Sequence, residues 1–235
     1  FVNSLDKRIT LTAIDKEPSI LYNAYTNWQH KFTNELSLNT GLHYQLYNLT
    51  NESAIEPRLA LRWQAHQQHA FSLGYGLHSQ IQARTIYFYE AYYKDTDTYA
   101  RNNMTTGYTR SHHIVGGYDW TISPYWRVKT EAYYQDLFNV PVSPISGSYS
   151  ALNSGSGYYI ANIDSLQNTG VGRNYGLEMT IEKFLHKGYY GLMTFSLYDS
   201  KYQGYDKIWR NTAFNSNFAV NLLGGYEWRV GTKNF

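Results

Sequence analysis

Apolar and polar residues alternate with a period of two over most of this chain. The pattern is clearest from Asn174 to Tyr202, where two long runs meet at a very short turn, His186-Lys187-Gly188. In the first run Tyr175, Leu177, Met179, Ile181 and Leu185 share one face, and Asn174, Gly176, Glu178, Thr180 and Glu182 share the other. Successive side chains of a strand point to opposite sides of the pleat, so this period predicts β-structure. A strand of a dozen residues is long against the usual five or six or so. An apolar face opposite a charged one suits a strand with lipid outside and a wet lumen inside.

The rest of the chain repeats the unit. Runs at 19–31, 35–48, 55–64, 71–80, 111–122, 126–135 and 214–230 join the central pair, giving nine predicted strands. Pro57 is awkward in a central strand because it donates no ladder hydrogen bond, and it is expected at the outer end of its run. Residues 1–18 read as a strand end plus a loop, on the weak alternation of Ile9, Leu11 and Ala13. The connections alternate in length. Those near 32–34, 66–69, 123–124 and 186–188 are short, and those at 49–54, 86–109, 139–173 and 203–213 are longer. An up-and-down membrane barrel sorts its connections in this way, with tight periplasmic turns and long outer loops.

Tryptophan placement points in the same direction. Trp28, Trp63, Trp120, Trp126 and Trp228 all fall on apolar faces near the short-turn ends of their strands, as a membrane girdle would. The expected fold is therefore all-β, an antiparallel up-and-down transmembrane β-barrel. The odd strand count and a further turn at Gly231-Thr232-Lys233-Asn234 suggest about nine or ten strands of a larger barrel, with Phe235 starting another strand.

Composition narrows the alternatives. There is no run of 18 apolar residues, and mean hydropathy is −0.53, which a barrel tolerates because only every second residue faces lipid. The absence of cysteine rules out disulfides and thiolate metal sites. A net charge of +2 argues neither for nor against nucleic acid, and no nucleic-acid partner is expected of a barrel segment. The first residues do not read as a signal peptide.

The polar faces carry Glu56, Arg58, Arg62, Arg127, Lys129, Glu131, Glu178, Glu182, Asn217, Asn221 and Glu227, expected to line the lumen wall. Glu178 and Glu182 stand about 13 Å apart along a strand, too far for a glycosidase pair. His112 and His113 point to opposite faces, so no metal site is expected, nor any cofactor, catalytic residue or enzymatic activity. Gly170, Gly172 and Gly176 do not have dinucleotide-binding spacing. The long loops are rich in aromatics. Tyr87, Tyr89, Tyr92, Tyr93, Tyr149, Tyr158, Tyr159 and Trp209 are candidates to contact a ligand at the mouth, against the alternative that they pack loop on loop.

Several phrases carry a family resemblance. They include Ile55-Glu56-Pro57-Arg58 followed by Leu61-Arg62-Trp63, the stretch Ser72 to Gln80, Glu131 to Val142, Asn168 to Glu178, Ser196 to Asp206, and Arg210 to Asn215. Together they resemble the C-terminal barrel part of Bacteroidetes-type TonB-dependent outer-membrane receptors, whose relatives often carry a carboxypeptidase-regulatory-like domain. The resemblance implies a 22-stranded barrel in the outer membrane of a Gram-negative bacterium, with a plug that is absent from this sequence. It also implies partners: outer-membrane lipid, the TonB complex reached through the missing N-terminal part, a surface lipoprotein, and a siderophore, glycan, peptide or similar ligand. The contrasting expectation is a small self-contained barrel with a structural, adhesive or passive-pore role.

Overall fold

The computed structural model describes residues 18–153, 164–231, 233 and 234. The readings of residues 1–17, Tyr158, Tyr159 and Phe235 lie outside them. Nine long strands dominate: β1 (Leu21–Lys31), β2 (Leu36–Tyr47), β3 (Glu52–His66), β4 (His69–Gln80), β5 (Thr109–Ser123), β6 (Trp126–Val142), β7 (Gln167–His186), β8 (Tyr189–Gln203) and β9 (Phe218–Tyr226). Together with the short strand Trp209–Asn211 they form one sheet in which each long strand pairs antiparallel with its neighbours in sequence. Among the described residues β1 pairs only with β2 and β9 only with β8, leaving two open edges.

The short connections all gather at one end of the sheet. The β7–β8 turn has only two residues, Lys187 and Gly188, both with left-handed φ (56° and 85°). That geometry matches the twist of a hairpin, and glycine adopts it without a Cβ clash. At the β1–β2 turn the Thr33 hydroxyl accepts from the amides of Glu35 and Leu36, both at 3.0 Å. The opposite end carries the connections 48–51, 81–108, 143–166 and 204–217.

Cross-strand register keeps the two faces separate. Leu61, Trp63, Phe71, Leu73, Ile114, Leu177, Val220 and Leu222 lie on one face, and all but the half-buried Leu61 are well exposed. The buried core lies elsewhere. It sits at the long-connection end, where Tyr87, Phe88 and Tyr108 pack on Tyr47 and Ala54. A second cluster joins Ile86, Tyr89 and Ala91 to Leu166. The sheet thus exposes its apolar face and buries its loops, the reverse of a soluble sandwich.

The structure corrects several sequence-based boundaries. The stretches 139–142 and 167–173 belong to β6 and β7, so the connection is 143–166, not 139–173. Glycines made this segment read as a loop, but they are there for space: a Cβ on Gly170 would strike Val142, and one on Gly172 would strike Leu152. At about 3.3 Å per residue β7 is far longer than a tilted bilayer crossing of roughly 9–11 residues requires, so it stands well clear of the apolar band. The connection 81–108 is not bare loop. It contains a helical turn, Arg84–Tyr87, and a hairpin of Ala91–Tyr93 with Thr98–Ala100. The last long strand is Phe218–Tyr226 and not 214–230, because left-handed Asn217 (φ 64°) breaks the run. Arg229–Val230 then pairs with Lys233–Asn234 around Gly231. Pro57 lies inside β3, but the β3–β4 ladder begins one residue later, at Arg58 with Gly76. The missing N–H therefore falls where that ladder has no bond to lose.

Gly176 sits between Tyr133 and Tyr198, its cross-strand neighbours, and the Tyr133 ring lies over the gap that it leaves. A Cβ there would lie 2.6 Å from the Leu197 carbonyl oxygen, a backbone atom that cannot swing away. Gly176→Ala is expected to cost about 1–3 kcal/mol by overpacking. Gly116→Ala, where nothing lies within 4 Å, serves as the control. Urea midpoints that fall equally for both, or for neither, would contradict the close approach at Gly176.

Candidate functional site

The polar face is built from rows of directly opposed residues. One row runs Asn27, Gly41, Arg58, Gly76, His113 from β1 to β5, and the next runs Gln29, Asn39, Ala60, Gly74, Val115. The small residues Gly41, Ala60, Gly74 and Gly76 form a floor, and longer polar side chains stand around it. The result is a groove of about 640 Å³ that includes Arg58, His78 and His113 in its lining. Tyr25 stands beside it, 77% exposed, in the pocket that continues past His43. His43, His78 and Tyr25 were not singled out from the sequence, and His113 was weighed only as a metal ligand. Their signal was present: each lies on the polar face of an alternating run, with Gly41 two residues before His43, Gly76 two before His78, and Gly76 directly opposite His113.

Glu56 is the anchor of this region. The sequence placed it on a wet wall, but its side chain is 1% exposed. It occupies the place where the β3–β4 ladder ends. One carboxylate oxygen accepts from the Ser79 amide (2.7 Å) and the Gln45 side-chain amide (2.5 Å). The other accepts from Arg58 (3.1 Å) and from His43 Nδ1 (2.8 Å), which must be the donor because a carboxylate only accepts. Burial of a charge is tolerated when its lone pairs are filled in this way. Glu56 is thus fully committed, and the groove presents guanidinium, imidazole and amide groups with no free carboxylate among its described lining residues.

Towards the short-turn end the polar face carries ion pairs. Arg127 binds Asp119 through two nitrogens and Glu182 at 3.3 Å, and Lys129 binds Glu131 at 2.7 Å. Glu178 lies directly opposite Glu131 and is exposed. Arg62, also exposed, donates to Gln64. Asn221 donates to Thr194 across the β8–β9 pair. Asn217 lies one residue before β9, and Glu227 lies just after it, its amide donating to the Gly188 carbonyl. Among the described residues no three His, Asp or Glu side chains converge as a metal site.

The loop aromatics divide into two groups. Tyr87 and Tyr89 are buried, so the structure makes them packing residues and not ligand contacts. Burial pushes the Tyr87 phenol up to about 12, and burial with the nearby Glu52 carboxylate does the same for Tyr108. Both rings stay neutral and hold the loop over the β2–β3 end. Tyr92, Tyr93 and Tyr149 are half-buried, with Tyr92 donating to Asp97 and the Tyr93 hydroxyl accepting from Asn102. Trp209 is not at the mouth. Its short strand pairs with β8 opposite Gln203, which places it on the apolar side of the sheet beneath the Arg173 guanidinium, 4.4 Å from its ring centroid.

On that apolar side aromatics gather near the short turns in one linked group and several pairs. Trp63 stacks on Phe71, Phe71 on Tyr118, and His69 on both Tyr118 and Trp120. Trp28 packs against His30, Tyr125 stacks on His186, and Trp228 packs against Tyr226. The Lys183 ammonium is wrapped by Tyr125, Trp126 and Tyr189 and donates to the Phe184 carbonyl at 2.6 Å. Apolar rings with a polar edge, ranged at one height, suit a membrane–water interface.

Comparison with solved structures fits this geometry. The FrpB iron transporter of Neisseria meningitidis aligns over 92% of this chain with a TM-score of 0.60 at 14% identity. The outer-membrane transporter YddB of Escherichia coli aligns over 88% with a TM-score of 0.60 at 12% identity. The siderophore receptor PiuA of Acinetobacter baumannii aligns over 88% with a TM-score of 0.61 at 11% identity. The fold is that of an outer-membrane barrel wall. This chain spans about a third of each of those proteins, 31% in all three cases. No family model and no curated protein matches it by sequence. In barrel terms the exposed apolar face is the lipid face, the polar groove lies on the lumen face, and the core under 81–108 braces an outer loop.

Proposed function

We propose that this chain is part of the barrel of a TonB-dependent outer-membrane receptor that imports a nutrient. The observation that carries the reading is the lumen-face groove on a barrel wall that aligns along nearly its whole length with transporters and a receptor. In this reading the full protein has a 22-stranded barrel, a plug and a segment that contacts TonB. It belongs to the Bacteroidetes-type group with a carboxypeptidase-regulatory-like domain, and a surface lipoprotein assists capture. The role is transport and not catalysis. The substrate is a siderophore, glycan, peptide or similar solute that crosses past the Arg58–His113 groove.

The test is uptake by cells that carry the full gene. Deleting it is expected to abolish import of one nutrient class, and collapsing the proton gradient is expected to abolish the same import in the parent strain. Import that survives an uncoupler would replace the energised receptor with a passive pore. Excising 146–163 from the outer connection is expected to spare barrel insertion, because β6 and β7 stay intact and Leu166 keeps its contacts with the 81–108 core. Uptake is expected to fall at least tenfold. Loss of the heat-modifiable barrel band would instead show the excised loop to be structural.

A further inference from the structure

We propose that the lumen-face groove across β1 to β5 binds a carboxylate group of the solute that passes it. The inference rests on the import reading and narrows its substrate to an acid. Two glycines shape the site. Gly41 and Gly76 lie directly opposite Arg58 on its two sides, and Gly76 lies directly opposite His113 in turn. The space above each glycine is taken by a polar side chain. A Cβ on Gly41 would strike the Asn27 carboxamide, and one on Gly76 would lie 2.6 Å from His78 Nε2. The His78 imidazole is therefore folded over the backbone position between Arg58 and His113. Neighbouring strands are about 4.8 Å apart, which puts the three groups within reach of one small ligand group. The two imidazole centroids are 6.2 Å apart, and Asn27, Arg58, His78 and His113 all line the same groove.

These groups are donors without an acceptor. Arg58 spends one nitrogen on Glu56, at 3.1 Å, and its other two have no partner among the described residues. Asn27, His78 and His113 make no hydrogen bond among the described residues, and His113 is held by ring contact alone, edge-on to Tyr133 at 6.3 Å. The carboxylate on the same strand, Glu56, is 1% exposed and already filled by His43, Gln45 and Ser79 besides Arg58. The acceptor must therefore come from outside the described residues. Charge selects its kind. One guanidinium partly offset by Glu56, with two imidazoles that are ordinarily neutral near pH 7, suits a single negative charge better than a phosphate dianion. Each neutral imidazole still offers one N–H, and the guanidinium fork matches the two oxygens of a carboxylate. A volume of about 640 Å³ lies within the range of small-molecule sites.

The test uses the full-length protein in lipid nanodiscs and fluorine NMR of para-fluorobenzoate, with para-fluorobenzamide as its neutral isostere. Wild type is expected to bind the benzoate, and the benzamide at least tenfold more weakly. Arg58→Gln is expected to weaken benzoate binding about tenfold, the loss that one charge-assisted hydrogen bond carries. Gly76→Ala is expected to weaken it severalfold, because the added methyl displaces His78. Gly116→Ala, on the lipid face, is expected to leave it unchanged. His78→Phe keeps a ring but no donor, and gives a second reading if Arg58→Gln does not fold. Equal benzoate affinity in wild type, Arg58→Gln and His78→Phe would overturn the proposal, as would equal affinity for the benzamide. Failure of wild type to bind the benzoate would also overturn it, and would assign the groove to another part of the protein. Inorganic phosphate that displaces the probe at lower concentration than acetate does would assign the site to phosphate and overturn the carboxylate. Binding is read without transport, so energised uptake without benzoate binding counts against this site alone, and benzoate binding without energised uptake counts against the import reading alone.

Discussion

Glu56→Ala is expected to destabilise the folded chain by about 4 kcal/mol, since it orphans two buried donors at about 1–3 kcal/mol each and leaves a small void. The donors are the Ser79 amide and the Gln45 side chain, both of which terminate on one Glu56 oxygen where the β3–β4 ladder stops. Arg58 contributes much less. Its side chain is 49% exposed, so Arg58→Ala is expected to cost under about 1 kcal/mol. Glu56→Gln keeps the shape but turns one acceptor into a donor, and should fall between the two. Urea titration of each variant in lipid vesicles reads the difference. If Glu56→Ala and Arg58→Ala move the midpoint by the same small amount, the carboxylate is solvated and the wall is wet there.

Leu222 and Leu223 provide the second large contrast, because they are sequence neighbours on opposite faces of β9. Leu222 is 82% exposed on the face that includes Val220 and Leu177, and Leu223 shares the polar face with Asn221. Leu222→Arg is expected to cost about 2–4 kcal/mol in a bilayer, where the guanidinium meets lipid near mid-depth. Leu223→Arg faces the lumen and is expected to stay within about 0.5 kcal/mol of wild type. In detergent micelles the difference should shrink, since the side chain can reach water. A reversed order in vesicles would invert the assignment of the two faces.

The strands were legible because their cause is local. Lipid on one side and water on the other impose a period of two, and every long run in the sequence corresponds to a long strand. Alternation also told Leu222 from Leu223 without any tertiary information. What could not be read depends on neighbours distant in sequence. Gly170 and Gly172 looked like a loop because the Val142 and Leu152 side chains that exclude a Cβ lie on other segments. Glu56 looked wet because nothing local shows that Ser79 and Gln45 close over it. Tyr87 and Tyr89 looked like ligand contacts because tyrosine serves packing and recognition equally well, and only Tyr47, Ala54, Ala91 and Leu166 decide between them. The groove was missed for the same reason: its floor combines glycines from β2 and β4 that only register brings into line on either side of β3.

The placement of every tight turn at one end has a kinetic consequence. Closing a two-residue turn such as Lys187-Gly188 costs little chain entropy, and each doubling of a connection adds roughly 0.6 kcal/mol. The pairs β1–β2, β3–β4, β5–β6 and β7–β8 are therefore the cheap contacts, and the pairings across 81–108 and 143–166 are the dear ones. Assembly should proceed by hairpins, each zipping from the same membrane surface, with the hairpins joining edge to edge afterwards. The aromatic core beneath 81–108 can form only once β2, β3 and β5 are in place. Proteolysis during insertion should thus find the outer connections open long after the hairpin stems have become resistant.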